Sequence, residues 1–213
     1  MRRTLRQWLQ SYPHILWLLL FLPLGGMYFL SQHLGLSYHV VHTALDDRIP
    51  FLPIFIVPYI LWYLYIPLPM VYMCFRDPVV FRRQVATLFS GALLATVFFL
   101  LYPTCVDFRA DASGDGVLLW LCRIIYRNDS PVNVLPSLHC YEATAIHLAT
   151  FRGDFGRRHP WLRGGSAALL GLICFSTLFV KQHSVLDAAV GCLFAVLVYG
   201  VVRLIERKRG IPS

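Results

Sequence analysis

Long apolar runs separated by short basic segments dominate this chain. A bilayer is crossed by about 20 consecutive apolar residues. On that measure six runs predict membrane spans, at roughly 14–31, 51–75, 84–103, 135–151, 162–181 and 185–206. The second run carries Pro53, Pro58, Pro67 and Pro69, so the pattern predicts a kinked or broken helix there. Spans five and six nearly touch in sequence and predict a tight hairpin around Lys181-Gln182-His183. Between spans three and four, Gly116–Arg127 reads as a short amphipathic helix lying on the outer membrane surface. The expected fold is all-α: a polytopic bundle of six transmembrane helices forming a single domain over residues 1–213.

Composition agrees with that pattern. The chain is 57% hydrophobic and only 14% charged, too apolar for an ordinary soluble domain. The first apolar run lacks a small-residue cleavage site and is followed by further spans, so it reads as a retained helix rather than a signal peptide. No internal repeat or low-complexity segment is visible. The net charge of +8 raises the question of nucleic acid, but the cations sit in short loops between spans and carry topology instead. With the amino terminus inside, 14 of the 19 basic residues fall on inner segments: Arg2, Arg3, Arg6, Arg76, Arg82, Arg83, Arg152, Arg157, Arg158, Arg163, Arg203, Arg207, Lys208 and Arg209. Arg48, Arg109, Arg123, Arg127 and Lys181 fall outside. That asymmetry predicts both termini in the cytoplasm. The six cysteines show no CxxC pair and no zinc spacing. Cys74, Cys174 and Cys192 read as small core residues. Cys105 and Cys122 share one loop and are candidates for pairing if that loop is extracytoplasmic.

The polar exceptions gather at the outer ends of the last three spans. His183 and Asp187 are four apart and share one helical face, where a carboxylate fixes the imidazole tautomer and raises its basicity. A second histidine, His139, follows Pro136-Ser137-Leu138 at the start of another apolar helix. Pro136 suits a first helical turn, whose free N–H groups and positive dipole end hold phosphate. Ser137 adds a hydroxyl donor, and His139, about one turn in, is placed to protonate a leaving oxygen. Lys181 adjoins His183, and a cation at a membrane boundary is a functional pointer. Two histidines, an aspartate and a cation at one membrane face suggest chemistry on a phosphate.

These residues carry a resemblance to the type 2 phosphatidic acid phosphatase superfamily of membrane lipid phosphatases and phosphotransferases. Its second signature, Pro-Ser-Gly-His, reads here Pro136-Ser137-Leu138-His139. Its third, Ser-Arg-x5-His-x3-Asp, matches in spacing at Ser176, His183 and Asp187, with Thr177 in place of the arginine and Lys181 offering a substitute charge. Its first, Lys-x6-Arg-Pro, fits best at Tyr102-x6-Arg109-Ala110, which retains only the arginine. The Tyr102–Thr104 run, the Pro-Ser-Leu-His and Lys-Gln-His forms, and Asp47–Pro53 with Tyr59 look closer to the inositol phosphorylceramide synthase branch. The resemblance implies a mechanism. His183 attacks phosphorus and forms a phosphohistidine, and Asp187 orients it. His139 protonates the leaving alkoxide and then activates water or an acceptor hydroxyl. Arg109, Lys181, Ser137, Ser176 and Tyr102 are the implied substrate-binding residues. No metal and no cofactor is implied.

Other polar residues have competing readings. Glu142, three after His139, either tunes that histidine, binds an acceptor hydroxyl or pairs within the bundle. Asp46 and Asp47 either shape an acceptor site or cap a helix. The remaining histidines lack ligand spacing and read as interfacial or structural. The expected protein is a multi-pass cell-membrane enzyme with an extracytoplasmic site, acting on a membrane lipid phosphate by hydrolysis. Transfer of a phospho-head group to an inositol, sphingolipid or diacylglycerol hydroxyl is the close alternative, and a non-catalytic lipid transporter or scaffold is a third. An intramembrane protease is disfavoured by the absence of Gly-x-Ser-x-Gly and His-Glu-x-x-His.

Overall fold

A computed structural model of the chain describes residues 10–34 and 37–211; Arg2, Arg3 and Arg6 of the charge tally lie outside them. The chain is an all-α, multi-pass membrane-type bundle. A 3-10 segment, Pro13–Leu20, runs into α1, Phe21–His33. The second apolar run forms α2, Ile56–Tyr65, and α3, Pro67–Arg76, broken at the expected proline. Then follow α4 (Pro78–Leu101), α5 (Val117–Asn128), α6 (Leu138–Phe151), the short α7 (Asp154–Arg158), α8 (Pro160–Phe179) and α9 (Val185–Lys208). Two strands not expected from the sequence, β1 (His39–Val40) and β2 (Thr104–Cys105), pair in parallel with His39 opposite Thr104.

Among the described residues, five helical segments are long and apolar enough to cross a membrane: Pro13–His33, Pro53–Arg76, Pro78–Leu101, Pro160–Phe179 and Val185–Lys208. The run expected at 135–151 is different. Its helix has 14 residues, about 21 Å at 1.5 Å per residue and short of a bilayer's hydrocarbon core. It is instead the hub of the bundle. Cys140, Tyr141, Ala143, Ala145 and Ile146 are fully buried, and α6 packs on α4, α8 and α9.

Small residues let the helices close on this hub. At Gly91 a Cβ would lie 1.8 Å from the Tyr141 hydroxyl, which donates to the Thr87 carbonyl at 2.5 Å. At Gly191 a Cβ would lie 2.5 Å from the Ser137 carbonyl oxygen and 3.2 Å from Cys140 Cβ.

Helix α4 begins six residues before the expected boundary. Asp77 caps it through Val79 and Val80 N–H at 3.0 and 3.1 Å, with Pro78 in the first turn. Arg83, counted as a loop cation, is buried within this helix. Its Nε meets Glu206 Oε2 at 2.8 Å, and Arg203 pairs with the same carboxylate.

The connections after α1, α5 and α8 interlock at one end of the bundle. Asp46 binds Ser184 and Val185, Leu52 N–H binds the Phe179 carbonyl, and Asn133 binds Ser31. The basic links Arg76–Asp77 and Arg152–Arg163, with the Arg83–Glu206 pair, lie at the other end.

Candidate active site

The segment leading into α6 is buried and polar: Asn133, Val134 and Ser137 are at most 3% exposed. Buried backbone polar groups require partners. Thr104, fully buried, supplies them by accepting from Val134 and Leu135 N–H at 3.2 and 3.0 Å. Its carbonyl takes the Asn133 N–H at 2.6 Å. Asn133 adopts φ 59°, a left-handed conformation that asparagine tolerates. The Tyr102–Thr104 run therefore props up the loop that carries His139.

Pro136 is not in the first turn. It follows a cis peptide bond and precedes the N-cap, Ser137. The Ser137 hydroxyl accepts from Cys140 N–H at 3.3 Å, and its N–H donates to the Asp187 carbonyl at 3.0 Å. The hydroxyl is thus a helix cap and is fully buried. His139 is the second helical residue rather than one turn in.

The three expected catalytic side chains converge. His183 lies ahead of α9 rather than on its expected helical face, and its Nδ1 is 2.9 Å from Asp187 Oδ2. His183 Nε2 lies 3.4 Å from His139 Nδ1. Asp187 is fully buried and His183 is 7% exposed. His139 is clamped between Tyr59 and Trp62, with ring centroids 4.7 and 4.5 Å away.

Beyond His139 stands Asp129, which sequence reasoning did not single out. Its Oδ2 is 3.8 Å from His139 Nε2, accepts from Gln182 Nε2 at 3.2 Å and accepts from the Tyr59 hydroxyl. Tyr59 and Asp129 are 70 residues apart, and no local pattern links them.

A cavity of about 270 Å³ opens on these groups. His139, His183, Asp129, Gln182 and Glu142 line it on one side, and Tyr28, Leu24 and Phe21 of the first apolar segment on the other. The Trp62 indole nitrogen and Ser130 hydroxyl also line it, both buried without a hydrogen-bond partner.

The expected phosphate-binding residues are dispersed. Ser176 is fully buried and donates to the Ile173 carbonyl at 2.6 Å. Tyr102 is 44% exposed and stacks on His39 at 4.1 Å. Lys181 donates to the Asp46 carbonyl at 2.6 Å, with its ammonium over Phe108. Arg109 donates to the carbonyls of Tyr126 and Asp129 and stacks on Tyr126. It holds the loop bearing Asp129 and does not line the cavity. No lysine or arginine lines the cavity among the described residues.

Asp46 is a cap, but of a helix remote in sequence. Its carboxylate takes the Ser184 hydroxyl at 2.7 Å and Val185 N–H at 2.8 Å at the start of α9, and also binds Thr43. Burial opposes its ionisation, yet these hydrogen bonds prevail and hold its pKa below the ordinary aspartate value. Asp47 instead forms a loop group with His42 (2.8 Å), which also meets Asp107 (3.0 Å). The Asp47 bond raises the His42 pKa. Cys105 and Cys122 are both free thiols, Cys105 in β2 and Cys122 on the buried face of α5.

A family model described as the PAP2 superfamily matches residues 26–201. Over 81 residues the chain is 33% identical to sphingosine-1-phosphate phosphatase 1 of Mus musculus; the match covers 34% of this chain and 18% of that relative. No solved structure matches.

Proposed function

The chain belongs to the PAP2 superfamily, and from that premise we propose that it is a membrane lipid phosphatase working through a phosphohistidine on His183. Family membership and the partial likeness to a lipid phosphatase support the phosphatase-type function. The observation that carries the mechanism is the relay Asp187–His183–His139, 2.9 and 3.4 Å long, whose two histidines line the cavity.

Its chemistry follows from the tautomer. With Nδ1–H donated to Asp187, His183 presents the Nε2 lone pair as the nucleophile. Nε2 attacks phosphorus, the P–O bond to the lipid breaks, and His139 gives its proton to the leaving alkoxide. His139 then takes a proton from water as it attacks the phosphohistidine. At 3.4 Å the two nitrogens are too close to hold a phosphoryl group between them in line. Substrate entry therefore turns the His139 ring toward the cavity, where Asp129 stabilises its charged form. The Trp62 indole N–H and the Ser130 hydroxyl are free donors for phosphoryl oxygens. Arg109 and Lys181 contribute by positioning loops and by long-range field.

Transfer to an acceptor hydroxyl is the second reading. Two carboxylates, Asp129 and Glu142, line the cavity; a carboxylate accepts from hydroxyls and repels phosphate. The candidate substrates are phosphate esters of lipids, including a sphingoid base phosphate such as the relative's name describes. The cation asymmetry, with the cavity at the cation-poor end, supports six passes through the bundle, α6 being the short buried one, with both termini cytoplasmic and an extracytoplasmic site.

The test is phosphate release from a panel of lipid phosphates by the detergent-purified protein and by His183→Ala, with mass spectrometry of all lipid products. Release by the native protein alone, with an acid-labile phosphoryl adduct, supports the phosphatase. A head-group-exchanged lipid without free phosphate supports transfer. No product from any donor or acceptor points to a non-catalytic lipid-handling protein.

A further inference from the structure

Three cysteines from three helices meet behind the histidines. Cys140 of α6, Cys174 of α8 and Cys192 of α9 place their sulfurs within 4.8 Å of one another. Cys174 and Cys192 are 3.7 Å apart, and Cys140 Sγ is 3.8 Å from the Thr177 hydroxyl. Their spacings in sequence, 34 and 18 residues, match no ligand motif.

We propose that Cys140, Cys174 and Cys192 form a binding site for one thiophilic metal ion, zinc(II) or copper(I). This goes beyond the phosphatase reading and does not rest on it.

The geometry is the first argument. Three atoms within 4.8 Å of one another share a point no farther than about 2.8 Å from each, so shifts of about half an ångström reach a Zn–S distance of 2.3 Å. Thiolates bound to one ion stand near van der Waals contact with each other, as Cys174 and Cys192 already do.

Ligand chemistry is the second. An all-sulfur donor set selects zinc and copper(I) over magnesium, calcium or manganese. Packing explains one small thiol at a helix interface, but not three sulfurs from three helices turned to a common point.

A neighbouring hydroxyl is the third. Thr144 lies one turn after Cys140, is 7% exposed, and its Oγ1 has no hydrogen-bond partner. It faces Cys192. Three thiolates around a divalent ion leave one net negative charge, and a hydroxyl donor lowers the cost of burying it.

Binding would release up to three thiol protons, with no change of sulfur oxidation state. The ion would tie together the helices that carry His139 and Asp187. Cys140 adjoins His139 in sequence, and Gly191, beside Cys192, packs on Cys140.

The test uses the full chain purified in detergent without chelators. Elemental analysis is expected to give about one zinc or copper per chain. After chelation, zinc(II) or copper(I) added alone should rebind at about one equivalent and protect Cys140, Cys174 and Cys192 together from alkylation, mapped by peptide mass spectrometry. Cys174→Ser and Cys192→Ser should each lose the ion, whereas Cys74→Ser, outside the three-sulfur group, should keep it. Alkylation protection is read on the unaltered chain, so misfolding of a variant leaves the test intact. Absence of metal with no rebinding of either ion overturns the proposal. So does a native Cys174–Cys192 disulfide, seen as the loss of two hydrogens under non-reducing conditions. Protection of the three cysteines that persists unchanged after chelation also overturns it.

Discussion

Substituting Gly191 by alanine tests whether the contact of α6 with α9 sets the catalytic geometry. A Cβ at Gly191 would sit 2.5 Å from the Ser137 carbonyl oxygen, where ordinary contact begins at 3.4 Å. The obstructing atom is backbone, so no rotamer change relieves the clash. The two helices must part by about 0.9 Å, or the local backbone must deform. Ser137 caps α6 two residues before His139, and its N–H is bonded to the Asp187 carbonyl at 3.0 Å. Parting the helices therefore stretches the 3.4 Å contact between His183 and His139.

A misplacement of that size costs about 10²-fold in turnover, and overpacking costs about 1–3 kcal/mol of stability. The control is Gly200→Ala on the same helix, where an added Cβ meets nothing within 4 Å; it should keep full turnover and gain about 0.5–1 kcal/mol from helix propensity. The assay is turnover of a lipid phosphate per folded molecule, alongside thermal unfolding in the same detergent. Native-level turnover in folded Gly191→Ala would refute the claim that this contact sets the histidine geometry. Equal losses in the two variants would refute it as well.

Other perturbations have equally definite outcomes. His183→Ala should abolish the phosphoryl adduct and turnover, and Asp187→Asn should lower turnover by about 10²–10⁴-fold while leaving the fold intact, checked by single-turnover kinetics and thermal unfolding. Asp46 has a folded-state pKa below its unfolded value, so its stabilisation is complete above an unfolded pKa of about 3.9 and fades as pH falls through the lower folded value. Asp46→Asn should therefore lower the melting temperature at pH 7 and flatten its decline at acidic pH. Arg83→Ala leaves Glu206 with Arg203 alone in a buried setting and should cost about 3–5 kcal/mol in chemical unfolding. Asp129→Asn should slow turnover without loss of fold, and an unchanged rate would remove Asp129 from the proposed mechanism.

Residues near one another in sequence carried most of what could be read without the fold. Apolar runs of bilayer length specify helices because unpaired backbone groups are intolerable in hydrocarbon. Five of the six expected runs became such helices, and the prolines marked where the second breaks. His183 and Asp187 were legible as a pair from their four-residue spacing, but His183 lies ahead of α9, and the turn through the N-cap Ser184, not a shared helical face, brings the two together. The fourth run yields a helix of only 14 residues, and its apolar residues face protein. Its helix starts at Leu138, where Ser137 caps it and Thr104 holds the preceding loop.

Tertiary structure alone decided the rest. It placed Asp129 beside His139 and Asp46 on the start of α9, and it gave Ser137, Ser176, Arg109, Lys181 and Tyr102 capping, packing and loop-holding contacts. Long-range pairs such as Tyr59 with Asp129, and the meeting of Cys140, Cys174 and Cys192, depend on how three or more helices cross. A linear pattern encodes which face of a helix is apolar. Which neighbour that face meets, and at what height, is settled only when all the helices pack at once.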